Sequence, residues 1–277
     1  MGMPDDELPA DLVERTRTYD PTADHPFPEE RLNRVLAYIA DSEVIAAYLE
    51  AQNVNPVDRM NYNDHGPTHI AIVRDRALRL YELLKRAGVN FNGAGQQGLA
   101  EADEPVIIAL AATLHDVGHI VHRHDHPYYS IPVATPLLDD ILPEFYDPAA
   151  AVRVKAEVLH AILCHHTEEQ PLTTEAGVIR VADALDMERG RSRTPYEKGG
   201  RGINTLSSRA IERVVLEPGD DVPVAAEIEM NSAVGVYQVD SLLKAKLEGS
   251  GLEKHVRIVA INTQEAEGQD LVERIEL

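Results

Sequence analysis

Leu114-His115-Asp116-Val117-Gly118-His119 is the stretch that decides how the chain is read. A strongly apolar run, Val106 to Leu114, ends in an adjacent histidine and aspartate, and Gly118 lets the chain leave. Neutral imidazoles and carboxylates are ligands that zinc, iron and nickel favour. In an adjacent His-Asp pair, one side chain can bind a metal end-on while the two oxygens of its neighbour reach a second. Two metals sharing a carboxylate hold a phosphoryl group and its attacking water well. His69 lies upstream of this stretch, and His126, the pair His165-His166 and Asp183 lie downstream. The set predicts an enzyme with a metal centre.

Outward from that stretch the pattern is helical. Leu32, Val35, Leu36, Ile39, Ile45 and Leu49 recur at helical spacing over Glu30 to Gln52, as one helix or as two broken near Asp41-Ser42. Pro67 suits a first helical position, Ile70, Val73, Ala77, Leu80 and Leu84 form one stripe, and Gly88 ends the helix. Phe91 to Glu104 reads as a Gly/Gln loop and Pro105 to His119 as a central apolar helix. Tyr128 to Ile141, Ala149 to His166 and Thr174 to Glu188 read as three more helices, with Thr173 or Thr174 as the N-cap of the last. On this reading His69 sits in a first helical turn, with His65 just outside it. His115-Asp116 and His165-His166 sit at helix ends, and Asp183 breaks an apolar helix face. A buried lone Asp is costly unless it is paired or binds a metal.

The pattern changes near Gly190. Residues 191–208 form a Gly/Arg loop. Ala210 to Leu216 and Val222 to Met230 then read as strands, Val236 to Leu247 as a helix and His255 to Asn262 as a strand. The fold class is mainly α, a helical bundle with a small C-terminal α+β region. Its parts are an acidic, Pro-rich arm over residues 1–29, a helical metal-binding region over 30–190, the basic loop 191–208, and the α+β region 209–277.

Composition sets outer bounds. The chain has 277 residues, 44% hydrophobic, with a formal charge of −21. An acidic surface of this kind suits high salt as well as an ordinary cytosolic setting, and it repels nucleic acid and anionic membranes. Cys164 is the one cysteine, which excludes an internal disulfide. The acidic start Met1-Gly2-Met3-Pro4-Asp5-Asp6 is unlike a secretory signal. Val106 to Leu114 is too short to span a bilayer. These features predict a cytoplasmic protein with no membrane partner, acting on a small phosphorylated substrate and open to homo-oligomer formation.

His69, then His115-Asp116, then Asp183, in that order and on separate helices, resembles the HD superfamily of metal-dependent phosphohydrolases. Thr68-His69-Ile70-Ala71-Ile72-Val73 is similar to its first-His helix, and Val181-Ala182-Asp183-Ala184-Leu185 to its last-Asp helix. The match covers about residues 60 to 190, and the whole chain looks most similar to an archaeal-type group of HD hydrolases. His126 and His165-His166 resemble the extra ligands of two-metal phosphodiesterases. His65 resembles the histidine that protonates the leaving oxygen. A GYP signature is missing, because Thr167-Glu168-Glu169 follows the histidine pair. That departs from the cyclic-di-GMP branch.

The resemblance implies a site for two divalent ions, whether Mn, Fe, Zn, Ni or Mg. His69, His115, Asp116 and Asp183 hold the first; Asp116, His126, His165 and His166 hold the second. Metal-bound hydroxide then attacks phosphorus. His122, His124 and His126 share one loop, and His126, just before Pro127, is the favoured ligand of the three. Of the histidine pair His165 is favoured slightly, with the other supporting it. His119 contacts substrate or caps the loop. Arg191, Arg193, Lys198 and Arg201 form a substrate-binding lid, since Arg forks match phosphate oxygens; a solvated loop is the plain alternative. Two other functions share the ligand set: an HD-fold di-iron oxygenase and a non-catalytic ligand-sensing module.

Overall fold

A computed structural model of the chain describes residues 30–188, 207–262 and 274–276. The expected N-terminal arm and the loop residues Arg191, Arg193, Lys198 and Arg201 lie outside the described residues. The chain opens with α1 (Glu30–Asp41) and α2 (Glu43–Asn53), two helices rather than one. The break is chemical: the Ser42 hydroxyl accepts a hydrogen bond from the Ile45 N–H at 3.2 Å and so caps α2. One wide turn, Val54–Arg59, follows. Next comes α3 (Pro67–Arg86), with proline in its first turn. It ends at Gly88, whose φ of +78° lies in the left-handed region, so that the Val89 N–H reaches back to Leu84 O at 3.0 Å.

The Gly/Gln stretch after α3 is not the plain loop its composition suggests. It holds α4 (Asn92–Gln96) and a short turn of helix over Glu101–Asp103. Buried Glu175 anchors α4 by accepting from the Gly93 and Ala94 N–H groups at 3.1 and 3.0 Å. A helix N-terminus held by a distant carboxylate leaves no local periodicity to read. The central helix α5 (Glu104–Leu114) is buried at every position. Around it pack α3, α7 (Pro148–Leu163) and α8 (Thr174–Leu185), and α6 (His126–Ile141) packs against α7. The N-cap of α8 is Thr173, accepting from Ala176 N–H at 3.3 Å. The helix α7 stops at Leu163, so His165 and His166 lie in the turn beyond it rather than on its last turn.

The C-terminal part is a sheet of order β1-β2-β3-β4. An antiparallel hairpin joins β1 (Ile211–Pro218) to β2 (Val224–Met230), and β3 (Val256–Asn262) runs parallel to β2. The parallel pairing is made possible by the intervening segment, which contains α9 (Lys244–Leu247). The short β4 (Arg274–Glu276) closes the edge and was not expected, because three residues carry too little pattern to read. Along β2, Val224, Ala226, Ile228 and Met230 are buried in strict alternation.

Side-chain contacts fasten this sheet region to the helices. The Arg79 guanidinium donates to Leu216 O of β1 at 3.3 Å. Glu188, just past α8, accepts from both Arg76 of α3 and the Val214 N–H of β1, each at 2.8 Å. A further point of approach is steric. A Cβ at Gly177 of α8 would lie 2.2 Å from Ser250 O. Only a glycine lets the chain after α9 lie this close to the helix. Gly177→Ala is therefore expected to destabilise the protein by about 1–3 kcal/mol, as overpacked sites do. Urea unfolding checks this, with a shifted midpoint; an unchanged midpoint would mean the approach is not needed.

Candidate metal centre

Asp116 is the hub. It follows α5 directly, is 2% exposed, and each of its oxygens faces histidines. Its Oδ2 lies 3.2 Å from His69 Nε2, 3.5 Å from His115 Nε2 and 2.7 Å from His65 Nδ1. Its Oδ1 lies 3.1 Å from His126 Nε2 and 3.6 Å from His165 Nε2. Asp183, on the last turn of α8, brings its Oδ1 to 3.4 Å from His69 Nε2 and 3.9 Å from His115 Nε2. Four overlapping triads of this set have ligand atoms close enough to hold an ion: His65-His69-Asp116, His69-His115-Asp183, His115-Asp116-His165 and Asp116-His119-His126.

The tautomers are fixed by what the other ring nitrogens touch. Nδ1 of His115 donates to Ala112 O at 2.8 Å, Nδ1 of His126 to Arg123 O at 2.9 Å, and Nδ1 of His165 to Ile162 O at 2.6 Å. Nδ1 of His69 donates to Asp186 Oδ2 at 2.6 Å. A carbonyl or carboxylate only accepts, so each Nδ1 carries the proton and, in a neutral ring, each Nε2 carries a lone pair. Yet His69 Nε2 faces His115 Nε2 at 3.3 Å, and His126 Nε2 faces His165 Nε2 at 3.0 Å. Two lone pairs at that separation repel unless a cation lies between them. The donor set therefore fits divalent metal. His119 Nε2, buried and without a hydrogen-bond partner, adds to the excess of acceptors.

Burial tunes the same groups toward metal binding. It lowers the pKa of His115, and more strongly that of His165, against the pull of nearby carboxylates. His119, also desolvated, is pushed down to about 3. Burial opposes ionisation of Asp116 too, but the histidines around it outweigh that and hold its carboxyl well below the ordinary range. Neutral imidazoles around an ionised carboxylate are the protonation states a divalent ion needs.

The surrounding chain places these side chains. A Cβ at Gly118 would come within 2.1 Å of His126 O. That glycine serves close approach between the His-Asp turn and the start of α6, not merely a chain exit. Ser130 locks the same junction, accepting from Gly118 N–H at 2.8 Å and donating to His115 O at 2.7 Å. The end of α2 grips His65: Asn53 Oδ1 accepts its N–H at 2.9 Å and the Gln52 amide donates to its carbonyl. Asn55 donates to His119 O at 2.7 Å.

Of the expected site residues, the structure brings His65, His69, His115, Asp116, His119, His126, His165 and Asp183 into one cluster. His166 is not in it. Its Nδ1 pairs with Glu168, and it lines a cavity of about 120 Å³ with Arg123, His124, His126, Tyr128 and Glu169. His122 and His124 are exposed and stack on each other at 5.4 Å. His119 is fully buried between the rings of His65 and His126, at 4.4 and 4.0 Å.

Two residues escaped the sequence reading. Asp186 orients His69, and its spacing from Asp183 along the end of α8 could have flagged it. Lys246 of α9 donates to Asp183 Oδ2, and nothing in the sequence near it signals this.

Residues 73–188 match the family model of the HD domain. The matched span starts four residues after His69, so the parts played by His65 and His69 rest on the geometry above. An uncharacterized protein of Methanocaldococcus jannaschii is 36% identical over 216 residues, covering 78% of this chain and 83% of that protein. A protein named ribonuclease Y, from Desulforudis audaxviator, is 38% identical over 93 residues, which is 33% of this chain and 15% of that one. No solved structure matches. The chain belongs to the HD domain family, within the superfamily of metal-dependent hydrolases. No helix among the described residues is long and apolar enough to cross a membrane.

Two outcomes follow from this geometry. Asp186→Asn removes the charged partner of His69 Nδ1 and is expected to weaken metal affinity by about 10–100-fold. Competition against a chromogenic chelator measures it, and unchanged affinity would deny Asp186 that role. The second concerns acid. With pKa values below the ordinary 6.5, His115, His119 and His165 take up protons in the unfolded chain before the folded one. Stability of the chelator-treated protein should therefore fall as pH drops below about 6.5, and fall further below about 4 as Asp116 is protonated. Thermal melts across that range test this, and a flat profile would contradict it.

Proposed function

We propose that the protein is a two-metal phosphohydrolase acting on a small phosphoester, a nucleotide or a cyclic phosphodiester. The observation that carries this reading is the pairing of Nε2 atoms about one carboxylate, His69 with His115 and His126 with His165. Membership of the HD family supports the same chemistry. Divalent cations held there would supply polarisation of a phosphoryl oxygen and a water of lowered pKa. His69, His115, Asp116 Oδ2 and Asp183 Oδ1 would hold one cation; Asp116 Oδ1, His126 and His165 would hold the other. His166, paired with Glu168 at the cavity wall, serves the substrate side of the second position.

His65 is the proton donor in this reading. Its Nδ1 is tied to Asp116 Oδ2, so a protonated ring keeps its Nε2 proton for the leaving oxygen. His119, closed off between the two rings it separates, acts as a spacer that fixes their distance and reaches substrate only through them. The local likeness to a protein named ribonuclease Y favours a phosphodiester over a monoester. The charge of −21 favours a small substrate over a polyanion.

The test uses untagged protein. Elemental mass spectrometry is expected to find about two metals per chain, with cleavage of nucleotide or cyclic-nucleotide esters by the same sample. Asp116→Ala should lose the second metal and turnover while keeping its helical circular dichroism. Near-normal turnover in that variant would refute the bridging role. Two irons with oxygen uptake and no ester cleavage would replace the hydrolase with an oxygenase.

A further inference from the structure

The two lysines of α9 point to different surroundings. Lys244 pairs with Asp240 at 3.7 Å and is 41% exposed. Lys246 turns inward, is 15% exposed, and bonds Asp183 Oδ2. The other oxygen of that carboxylate faces His69 and His115. Its ammonium thus lies one carboxylate away from the first metal position.

The placement is built rather than accidental. Leu243, Leu247 and Leu252 are buried on either side of Lys246, and Gly177 lets the chain at Ser250 sit against α8. The helix that carries Asp183 is thus the one that receives α9. The ammonium answers one of three buried carboxylates, Asp116, Asp183 and Asp186. Two divalent ions carry more charge than those carboxylates. With Asp183 held by metal, a phosphoryl oxygen would become the better partner for the ammonium, and Lys is a compact, swivelling charge suited to that exchange.

We propose that Lys246 binds a non-bridging oxygen of the substrate phosphoryl group, so that the C-terminal α+β region supplies part of the active site. This rests on the hydrolase reading above and adds to it a cation delivered from outside the HD domain. The ligand class is a phosphate or phosphate ester carrying at least one free anionic oxygen.

The test is made on the full chain reconstituted with metal, as wild type, Lys246→Gln and Lys246→Arg. Inorganic phosphate binding is followed by titration calorimetry, metal content by elemental mass spectrometry, and cleavage with p-nitrophenyl phosphate and bis(p-nitrophenyl) phosphate. In Lys246→Gln phosphate affinity and KM should each worsen about tenfold or more, the size of one charge-assisted hydrogen bond, with metal content unchanged. Lys246→Arg should recover most of the loss. Unchanged phosphate affinity in Lys246→Gln overturns the proposal. Loss of metal in that variant also overturns it, because Lys246 would then merely position Asp183. A wild type that loads metal and cleaves neither ester counts against the hydrolase reading, while the phosphate titration still decides Lys246.

Discussion

One buried carboxylate organises this molecule. Asp116 sits at the end of a helix with no exposed residue, where an ionised group without partners would be prohibitively costly. Its oxygens are satisfied by imidazoles drawn from four separate stretches of chain: the approach to α3 and its first turn, the end of α5, the start of α6 and the turn after α7. The contacts of His65, His69 and His165 join elements distant in sequence. Separating any of them from Asp116 would leave a buried charge short of a partner, so the helix ends must converge there.

The cost of that convergence is a set of facing lone pairs. Backbone carbonyls three residues back hold His115, His126 and His165 by Nδ1, and Asp186 holds His69. These bonds orient the rings in advance and turn the inner nitrogens toward one another and toward Asp116. Such a cluster is held together better by cations than by protons. Preorganised ligands of this kind lose little freedom on binding, which favours both affinity and a fixed geometry for chemistry.

The C-terminal sheet region is joined to the same machinery rather than appended at a distance. One chain of contacts runs from His69 through Asp186, 3.9 Å from Arg76, and on through Glu188 to the backbone of β1. Another runs from Asp183 to Lys246 of α9. Both start in the His/Asp cluster of the helical part and end in the C-terminal region. Movement of that region relative to α8 would therefore be felt at His69 and Asp183 first.

The mainly α fold with its small sheet was legible in the sequence, because amphipathic spacing, proline and serine at helix starts and Gly88 at a helix end are local signals. So was the ordered set His69, His115-Asp116 and Asp183, since residue type and order survive without coordinates. The spacing within His122-His124-His126 and His165-His166 did not decide which member turns inward. That depends on where α6 begins and where α7 ends, and the start of α6 is set by its packing against the His-Asp turn at Gly118. Asp186 and Lys246 were hidden for a related reason. An ion pair between residues 63 apart leaves no periodic trace, and only the packing of α9 on α8 at Gly177 makes it. Local sequence determined the elements and the ligand types; the tertiary structure decided which side chains share the buried charge of Asp116, because that choice depends on distances across the fold.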